Sequence, residues 1–431
     1  MRLLAACAGL ALLAVPAWAE GERFRAGVEV GGAWRSGDTF AEALPFAEYG
    51  ERNFAVGLGA PIRVRMLDGK PTDQCATPGL RCQDWDKPGD WLRILRHFDL
   101  GSPETKGQIH VGDLTGLTLG HGSLVWRYYN NQLLDVWHTG AYAVFDNKSG
   151  GVSALVGDLL RMDLLALRAH GRPFRGGLRR LEFGLGVAAE RREQVWQADG
   201  THVRALTSDF QGSLSAPFAP SLVADLGYEI VAGNSGQLLT WLDAVWQVDR
   251  GVGAHLGMRA VVRGRSDSLA ATLEGRYAGR GYLPAAIGPL YELQWPLRSQ
   301  AALPAGWGSR ASAEWVHRGL GRVLVALDHQ QGQKLDTYLW YSSEPLGSWS
   351  LRAWAVKRWL RGEQGSGNLD LGQDPIDWSA YVSARLRVDG PWYAALAAGR
   401  RWRVHGTWPI GQSPLYAENE VRLAAGAEWR W

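Results

Sequence analysis

The 431-residue sequence predicts an all-β fold, a closed antiparallel transmembrane β-barrel of about 18 strands, with an even number between about 16 and 20. Three observations predict this fold. Apolar and polar residues alternate along most of the chain, tryptophan collects at the ends of the alternating runs, and short connections between runs alternate with long ones. The formal net charge is only +3, which gives no indication of nucleic-acid binding.

The alternation is clearest near the end of the chain. From Trp378 to Val388 apolar residues occupy every second position, and small, hydroxyl or charged residues fill the positions between them. Asp389 and Gly390 follow, a dipeptide typical of tight hairpin turns, and Trp392 begins the next run. The same pattern recurs at residues 181–190, 222–230, 252–265, 269–277 and 421–431.

Alternation alone also fits a soluble β-sandwich. Here, however, the polar faces carry repeated Arg, Glu, Gly and Ser, whereas a sandwich needs one dry face in each sheet. Short connections such as 265–268 alternate with long ones such as 361–375, as periplasmic turns alternate with outer loops in membrane barrels. Since backbone groups in lipid must all be paired, such a sheet must close on itself. Tryptophans at the ends of runs match interfacial aromatic girdles: Trp378, Trp392, Trp402, Trp429 and Trp431.

The first 19 residues are predicted to be a cleaved signal peptide, which leaves residues 20–431 for the barrel. Met1 and Arg2 form a positively charged start, residues 3–15 are nearly all apolar, and Ala17-Trp18-Ala19 offers a cleavage site. No later segment contains about 18 consecutive apolar residues, so no transmembrane helix is expected.

With these features the chain resembles the Gram-negative outer-membrane β-barrel superfamily and is porin-like, although no specific family is assigned. The resemblance is carried by the signal sequence, the amphipathic last strand from Val421 to Trp431, and its terminal aromatic residue. It implies that Trp429 and Trp431 form a signal for the barrel-assembly machinery, and that lipid and lipopolysaccharide surround the protein. It also leaves open a homo-oligomer.

Two cysteines, Cys75 and Cys82, remain after signal cleavage and flank a Pro-Gly turn. In an exported protein such a pair predicts a disulfide bond that closes a small loop. A metal site is the alternative, but no further Cys or His lies nearby to complete the ligands. No metal or cofactor is therefore expected.

Residues 112–131, GDLTGLTLGHGSLVWRYYNN, are too polar and glycine-rich for a lipid-facing strand and too long for a turn. One interpretation is a loop folded into the lumen, as porin-like barrels often have, and the other is an ordinary strand, turn and strand. His121 and Ser123 match no complete hydrolase motif, so catalysis is not expected. In the first interpretation five residues narrow the pore: Arg127, Tyr128, Tyr129, Asn130 and Asn131.

Arginines on the polar faces are also predicted to line the pore, and their excess in the C-terminal half suggests a basic wall that attracts anions. The alternative is that they pair with acidic residues on neighbouring strands and hold the barrel's shape. Inward aromatic residues such as Trp340 and Tyr381 either stack on sugars or fill space. The predicted pore-lining arginines are Arg259, Arg263, Arg385, Arg387, Arg401 and Arg403.

Three functions remain open from the sequence. The leading hypothesis is an outer-membrane channel for small hydrophilic solutes with a mild anion preference. The second is a barrel that exports polysaccharide or another macromolecule with periplasmic partners. The third is a surface scaffold or adhesion barrel that does not conduct.

Overall fold

The computed structural model describes residues 23–35, 37–69, 79–81, 84–85, 88–101, 105–131, 137–191, 196–198, 202–205, 218–289, 291, 304–331, 335–343, 348–357, 378–404, 407–409 and 415–431. For residues 196–205 and 402–417 only the backbone of the strands is described. The predicted signal peptide and both Cys75 and Cys82 lie outside the described residues, so these expectations stay predictions.

Nearly all regular structure is strand. The first half of the chain forms β1 (Phe24–Arg35), β2 (Asp38–Glu51), β3 (Phe54–Gly59), β4 (Ile62–Leu67), β5 (Gly79–Leu80), β6 (Leu95–Gly101), β7 (Gly107–Gly112), β8 (Thr115–Leu117), β9 (Tyr128–Tyr129), β10 (Gly140–Asn147), β11 (Gly150–Val156), β12 (Leu164–Gly171), β13 (Leu181–Arg191), β14 (Trp196–Ala198) and β15 (His202–Ala205). The second half forms β16 (Phe218–Ala232), β17 (Gly236–Gln247), β18 (Gly251–Arg263), β19 (Asp267–Ala278), β20 (Gly306–His317), β21 (Gly321–Gln330), β22 (Asp336–Ser342), β23 (Trp349–Lys357), β24 (Trp378–Arg387), β25 (Trp392–Val404), β26 (Thr407–Pro409) and β27 (Leu415–Arg430). Short helices lie at Pro88–Trp91, Leu92–Ile94 and Gly176–Arg180, and no helix among the described residues is long and apolar enough to cross a bilayer.

The strands close into a ring, because the last strand β27 pairs with the first strand β1 from Arg25–Arg430 to Arg35–Glu420. All the ring strands are antiparallel to their neighbours. β3 and β4 both pair with β2 and together form one barrel strand, and β5 and β6 form the next, so the described residues make a closed antiparallel barrel of 20 strands. The prediction of a closed, antiparallel all-β barrel is therefore confirmed.

The preferred count of about 18 strands was wrong, although the range extended to about 20. Several strands of the ring are short: β7 has 6 residues, β11 and β22 have 7 each, and β10 has 8. A count that assigns about 9 to 11 residues to each strand underestimates the number of strands in such a ring.

The two faces of each strand differ as the alternation predicts. On β17, Leu242 and Trp246 point outward and are 51% and 52% exposed, whereas Asp243 and Gln247 point inward and are buried. Exposed apolar side chains on the outside are stable only against hydrocarbon, so the outer surface of the barrel faces lipid.

The two ends of the barrel also differ. The first and last described residues lie at one end, where the Trp431 carbonyl accepts a hydrogen bond from the Arg23 amide at 2.8 Å, and tight turns such as 318–320 and 388–391 lie there too. The connections at the other end are mostly longer. By the usual arrangement the first is the periplasmic, inner end and the second the outer end. At the outer end, β14, β15 and β26 form a separate three-stranded sheet that joins connections from opposite sides of the ring.

Candidate functional site: the lumen

Two segments enter the barrel from its outer end. We call residues 113–131, between β7 and β10, the first inward loop, and residues 279–291, after β19, the second inward loop. They pair with each other through backbone hydrogen bonds from the Trp126 amide to the Ile287 carbonyl at 2.9 Å and from the Ile287 amide to the Leu124 carbonyl at 3.1 Å. The pairing supports the interpretation of residues 112–131 as a loop inside the lumen.

The first inward loop crosses the lumen to the opposite wall. His121 Nδ1 lies 2.8 Å from Asp243 Oδ1 on β17, and the His121 ring stacks on Trp241. Further along the ring, Arg310 on β20 donates to the Gly122 carbonyl, and its guanidinium lies 4.6 Å from the centre of the Trp126 ring. Because the loop begins at β7 and contacts β20, it divides the lumen in two.

Glycine lets this loop turn sharply against the wall. Gly120 and Gly122 have φ angles of 59° and 90°, which side chains strongly disfavour, and they flank His121. A Cβ at Gly120 would also lie 2.9 Å from Arg168 Nε on β12. The glycine-rich composition noted in the sequence therefore serves close approach between the loop and the barrel.

One half of the lumen, between β10 and β20, is filled by a dry cluster. Tyr128 of the first loop and Tyr282 of the second are fully buried, and the Tyr128 ring packs edge-on against Tyr291 at 5.8 Å. The second inward loop was not predicted from the sequence. The apolar run from Tyr282 to Ile287, inside a long connection, was the available signal. The cluster contains Leu114, Leu117, Leu124, Val125, Tyr128, Tyr142, Leu155, Leu164, Ala166, Ala188, Val245, Ala278, Tyr282, Ile287 and Tyr291.

A buried polar network joins this filling to the wall. His255 on β18 lies between Glu274 and the Tyr282 hydroxyl, at 3.0 and 2.6 Å. The second Glu274 oxygen accepts from Arg310 at 2.6 Å. Both inward loops are thus attached to the same set of charged side chains, which lies within one half of the lumen.

The five predicted constriction residues have different surroundings. Tyr128 and Asn130 are fully buried within the loop, so their side chains contribute no surface to the lumen. The Asn130 side chain donates to the carbonyls of Gly112, His138 and Gly157 and accepts from the Leu114 amide, which fixes the base of the loop.

The other three predicted residues are only half-buried, at the surface of the loop. They are Arg127, Tyr129 and Asn131. Arg127, whose φ is 52°, lies 3.9 Å from Glu314 and faces the ring of Trp340 on β22 at 5.9 Å. Asn131 donates to Asp113 at 3.0 Å.

The other half of the lumen, which we call the unfilled half because none of the described residues fills it, is lined by alternating charges on β24, β25, β27, β1 and β2. Arg422 on β27 binds Glu29 on β1 and Glu42 on β2, each at 2.5 Å. Glu42 also binds Arg63 at 2.6 Å, and Arg63 binds the fully buried Asp84 at 2.9 Å. Arginines here do pair with acids across strands, as the shape-holding alternative predicts.

At the inner end this balance changes. A single carboxylate, Glu428, binds Arg430 at 2.7 Å, Arg385 at 3.1 Å and Arg387 at 3.4 Å. The Glu428 side chain is 2% exposed, whereas the three arginines are 34%, 36% and 48% exposed. Arg385 also lies against the Tyr393 ring, which holds it in place. We call these three arginines the inner cluster. Their guanidinium groups face the lumen, whereas the Glu428 carboxylate that balances part of their charge is buried beneath them.

The remaining predicted arginines lie in different halves of the lumen. Arg259 and Arg263 lie half-buried on the inner face of β18, in the filled half. Arg401 on β25 lies in the unfilled half, 5.1 Å from the ring of Tyr381. Arg403 lies in β25, but its side chain is outside the described residues. Within the part of the chain that is described, no group of His, Cys, Asp and Glu side chains is arranged to hold a metal ion.

No protein-family model matches the sequence, and no curated protein matches it. Solved structures from Pseudomonas aeruginosa are similar in fold. OccD3 (OpdP) is 11% identical over 95% of this chain and 92% of that chain, with a TM-score of 0.36. OccK2 (OpdF), in complex with glucuronate, is 10% identical over 95% and 98%, with a TM-score of 0.37. A mutant of the ferric enterobactin receptor PfeA, in complex with enterobactin, is 9% identical over 95% and 82%, with a TM-score of 0.37.

At such low scores neither a solute nor a site residue is transferred from those proteins to this chain. The chain's own structure gives its location: a closed sheet, an apolar outer surface and an inner surface that carries the charges. These are the features of Gram-negative outer-membrane β-barrels, and the outer membrane is where this barrel lies.

Proposed function

We propose that the protein is a channel for small hydrophilic solutes, and that solutes pass through the unfilled half of the lumen with a preference for anions. The observation that carries the proposal is the inner cluster, in which three exposed arginines share one buried carboxylate. A cleft with low-dielectric walls and an excess of one charge raises the local concentration of the opposite ion.

The division of the lumen supports a narrow passage in place of a wide pore. The inward loops pack against β10 to β20 and also reach Tyr338 and Trp340 on β22. Inward side chains farther around the ring, such as Arg352 and Arg385, keep contact with solvent. Polar and charged linings of this kind are the basis of selectivity in water-filled pores.

The test is the reversal potential of the purified protein in planar bilayers across a KCl gradient. We expect discrete conductance steps with anion selectivity, and the double variant Arg385→Gln, Arg387→Gln is expected to lower the chloride-to-potassium permeability ratio by a factor of about two or more. The matched control is Arg265→Gln, which changes an exposed arginine in the tight turn after β18.

A folded protein that never conducts would overturn the channel and favour the non-conducting scaffold. Conductance with an unchanged permeability ratio in the double variant would overturn the role of the inner cluster. The barrel-assembly partners, a homo-oligomer and a role in macromolecule export stay predictions.

A further inference from the structure

Three aromatic side chains stand side by side on the inner wall, in a row that begins where Arg127 of the first inward loop touches β22 and extends into the unfilled half. In the strand register Trp340 on β22 pairs with Trp354 on β23, and Trp354 pairs with Tyr381 on β24. Since directly paired residues of neighbouring strands point to the same face, the three rings form one row around the lumen. All three are half-buried, and the rings of Trp354 and Tyr381 are 6.5 Å apart and 24° from parallel.

Arginines flank this aromatic row. Arg401 lies over Tyr381 at 5.1 Å and over Trp354 at 6.0 Å, while Arg322 lies 5.7 Å from the Trp340 ring. Guanidinium groups over ring faces fix the aromatic side chains in place and keep positive charge beside them.

The next row towards the inner end alternates arginine and serine. Arg322 pairs with Ser342, Ser342 with Arg352, and Arg352 with Ser383. Arg352 is exposed, and its guanidinium interacts electrostatically with the Asp113 carboxylate of the first inward loop. Its neighbours on both strands are small hydroxyl side chains, which leave room around the guanidinium.

We infer that these two rows form a binding site for a sugar that carries a negatively charged group, with the ring stacked on Trp354 and Tyr381 and the charged group bound by Arg352. This inference rests on the proposed function, because it needs a lumen open to solutes. Aromatic faces offer apolar contact to the CH face of a pyranose. Arg352 offers a planar pair of donors to a carboxylate. Ser342 and Ser383 supply hydroxyl groups for the hydroxyls of a sugar, which an aromatic acid lacks.

The experiment measures ligand binding directly, by saturation-transfer-difference NMR on the folded protein in detergent micelles. Galacturonate is the probe. Galactose is the matched comparison that lacks the charge, and benzoate is the comparison that keeps the charge but lacks the hydroxyls. From saturation-transfer titrations we expect a Kd for galacturonate that is about tenfold lower than that for galactose, as a charged hydrogen bond predicts. Arg352→Gln is expected to abolish that preference, and Trp354→Leu to remove binding of both sugars.

Matched controls are Arg265→Gln and Trp246→Leu, since Trp246 faces lipid on β17. Heat-modifiable gel mobility confirms that each variant is folded. Absence of galacturonate binding, or equal binding after Arg352→Gln, would overturn the site, and stronger binding of benzoate would overturn the sugar. This readout needs no ion flow, so the two proposals can fail separately. Binding of galacturonate without conductance would count only against the channel, and conductance without binding would count only against the sugar site.

Discussion

The two halves of the lumen are held together by different forces. The filled half, against β10 to β20, has a dry cluster centred on Tyr128 and Tyr282, with one buried polar network around Glu274. The opposite half has no such filling among the described residues; it is a lattice of cross-strand ion pairs that runs from Glu29 through Arg422 to Asp84.

The difference shows how one barrel combines rigidity with a polar passage. Apolar contact removes water and fixes the inward loops, because it is favourable wherever the surfaces fit. Charged pairs keep their geometry in the presence of water and leave polar atoms at the surface. The two halves should therefore respond to different perturbations, and five predictions make this testable.

The largest effect is expected for Tyr128→Ala. Tyr128 is fully buried and contacts Tyr291, so its loss leaves a cavity and lowers the free energy of unfolding by about 3–5 kcal/mol. The freed loop should also increase the single-channel conductance. Urea unfolding in micelles and bilayer recording are the measurements. Tyr129→Ala, at the half-buried neighbour, is the control, and an equal effect of the two changes would contradict a dry cluster.

Acid should loosen the charged half first. The buried Asp84 carboxylate binds Arg63, Arg81 and Arg93 at 2.9, 2.7 and 3.2 Å, and it must be ionised to do so. Protonation at low pH removes this charge, so the stabilisation from these ion pairs is lost as pH falls. Hydrogen exchange of residues 84–94 should therefore accelerate below about pH 4 while the inward loops stay protected.

The variant Asp84→Asn should give the same loosening at neutral pH and cost about 3 kcal/mol, because it leaves buried arginines without their counter-charge. Asp389→Asn, in the exposed inner turn, is the matched change. If exchange in residues 84–94 stayed at the wild-type rate in Asp84→Asn, the ion-pair account of this half would be wrong.

A moderate effect is expected for Asn130→Ala. The change removes side-chain donors from three buried carbonyl groups, so it should lower the free energy of unfolding by about 1–3 kcal/mol. Asn53→Ala, in the exposed turn before β3, is the control. Proteolysis within residues 113–131 should become faster in Asn130→Ala alone, and unchanged protection of the loop would refute its anchoring role.

The smallest effect, and the one of opposite sign to the arginine variants, is expected for Glu428→Gln. Removing the carboxylate under the inner cluster leaves its three arginines without their counter-charge, so anion selectivity should increase. The increase should be a factor of about two or less, because the arginines are exposed to water and their charges are screened. Reversal potentials measure it, with Glu51→Gln at the same end as control. A shift towards cations would show that Glu428 does not neutralise these arginines.

The sequence was most informative about single strands. The alternating runs correspond to β24, β25, β18, β19 and β13, and the apolar faces lie outside as predicted. The predicted inward arginines Arg385, Arg387 and Arg401 also lie inside. These features follow from a period of two residues, which any strand shares whatever its neighbours are.

Features that depend on several strands at once could not be predicted from the sequence. The row of Trp340, Trp354 and Tyr381 exists only because the register of three strands aligns them. The burial of Tyr128 depends in part on Tyr291 of the second inward loop, which comes much later in the chain. Strand count failed where strands are shorter than a bilayer suggests, and the second inward loop has no periodicity to mark it.

The first inward loop makes contacts between residues far apart in the sequence, and such contacts affect the rate of folding. Its contact from Gly122 to Arg310 joins positions 188 apart in the chain, and the pairing of β27 with β1 joins the two ends. Contacts at such separation form slowly, because chain entropy is lost before any interaction compensates for it. Newly inserted barrels should thus pass through a long-lived intermediate whose hairpins are complete while the interior is still wet, and the last event of folding should be the expulsion of that water.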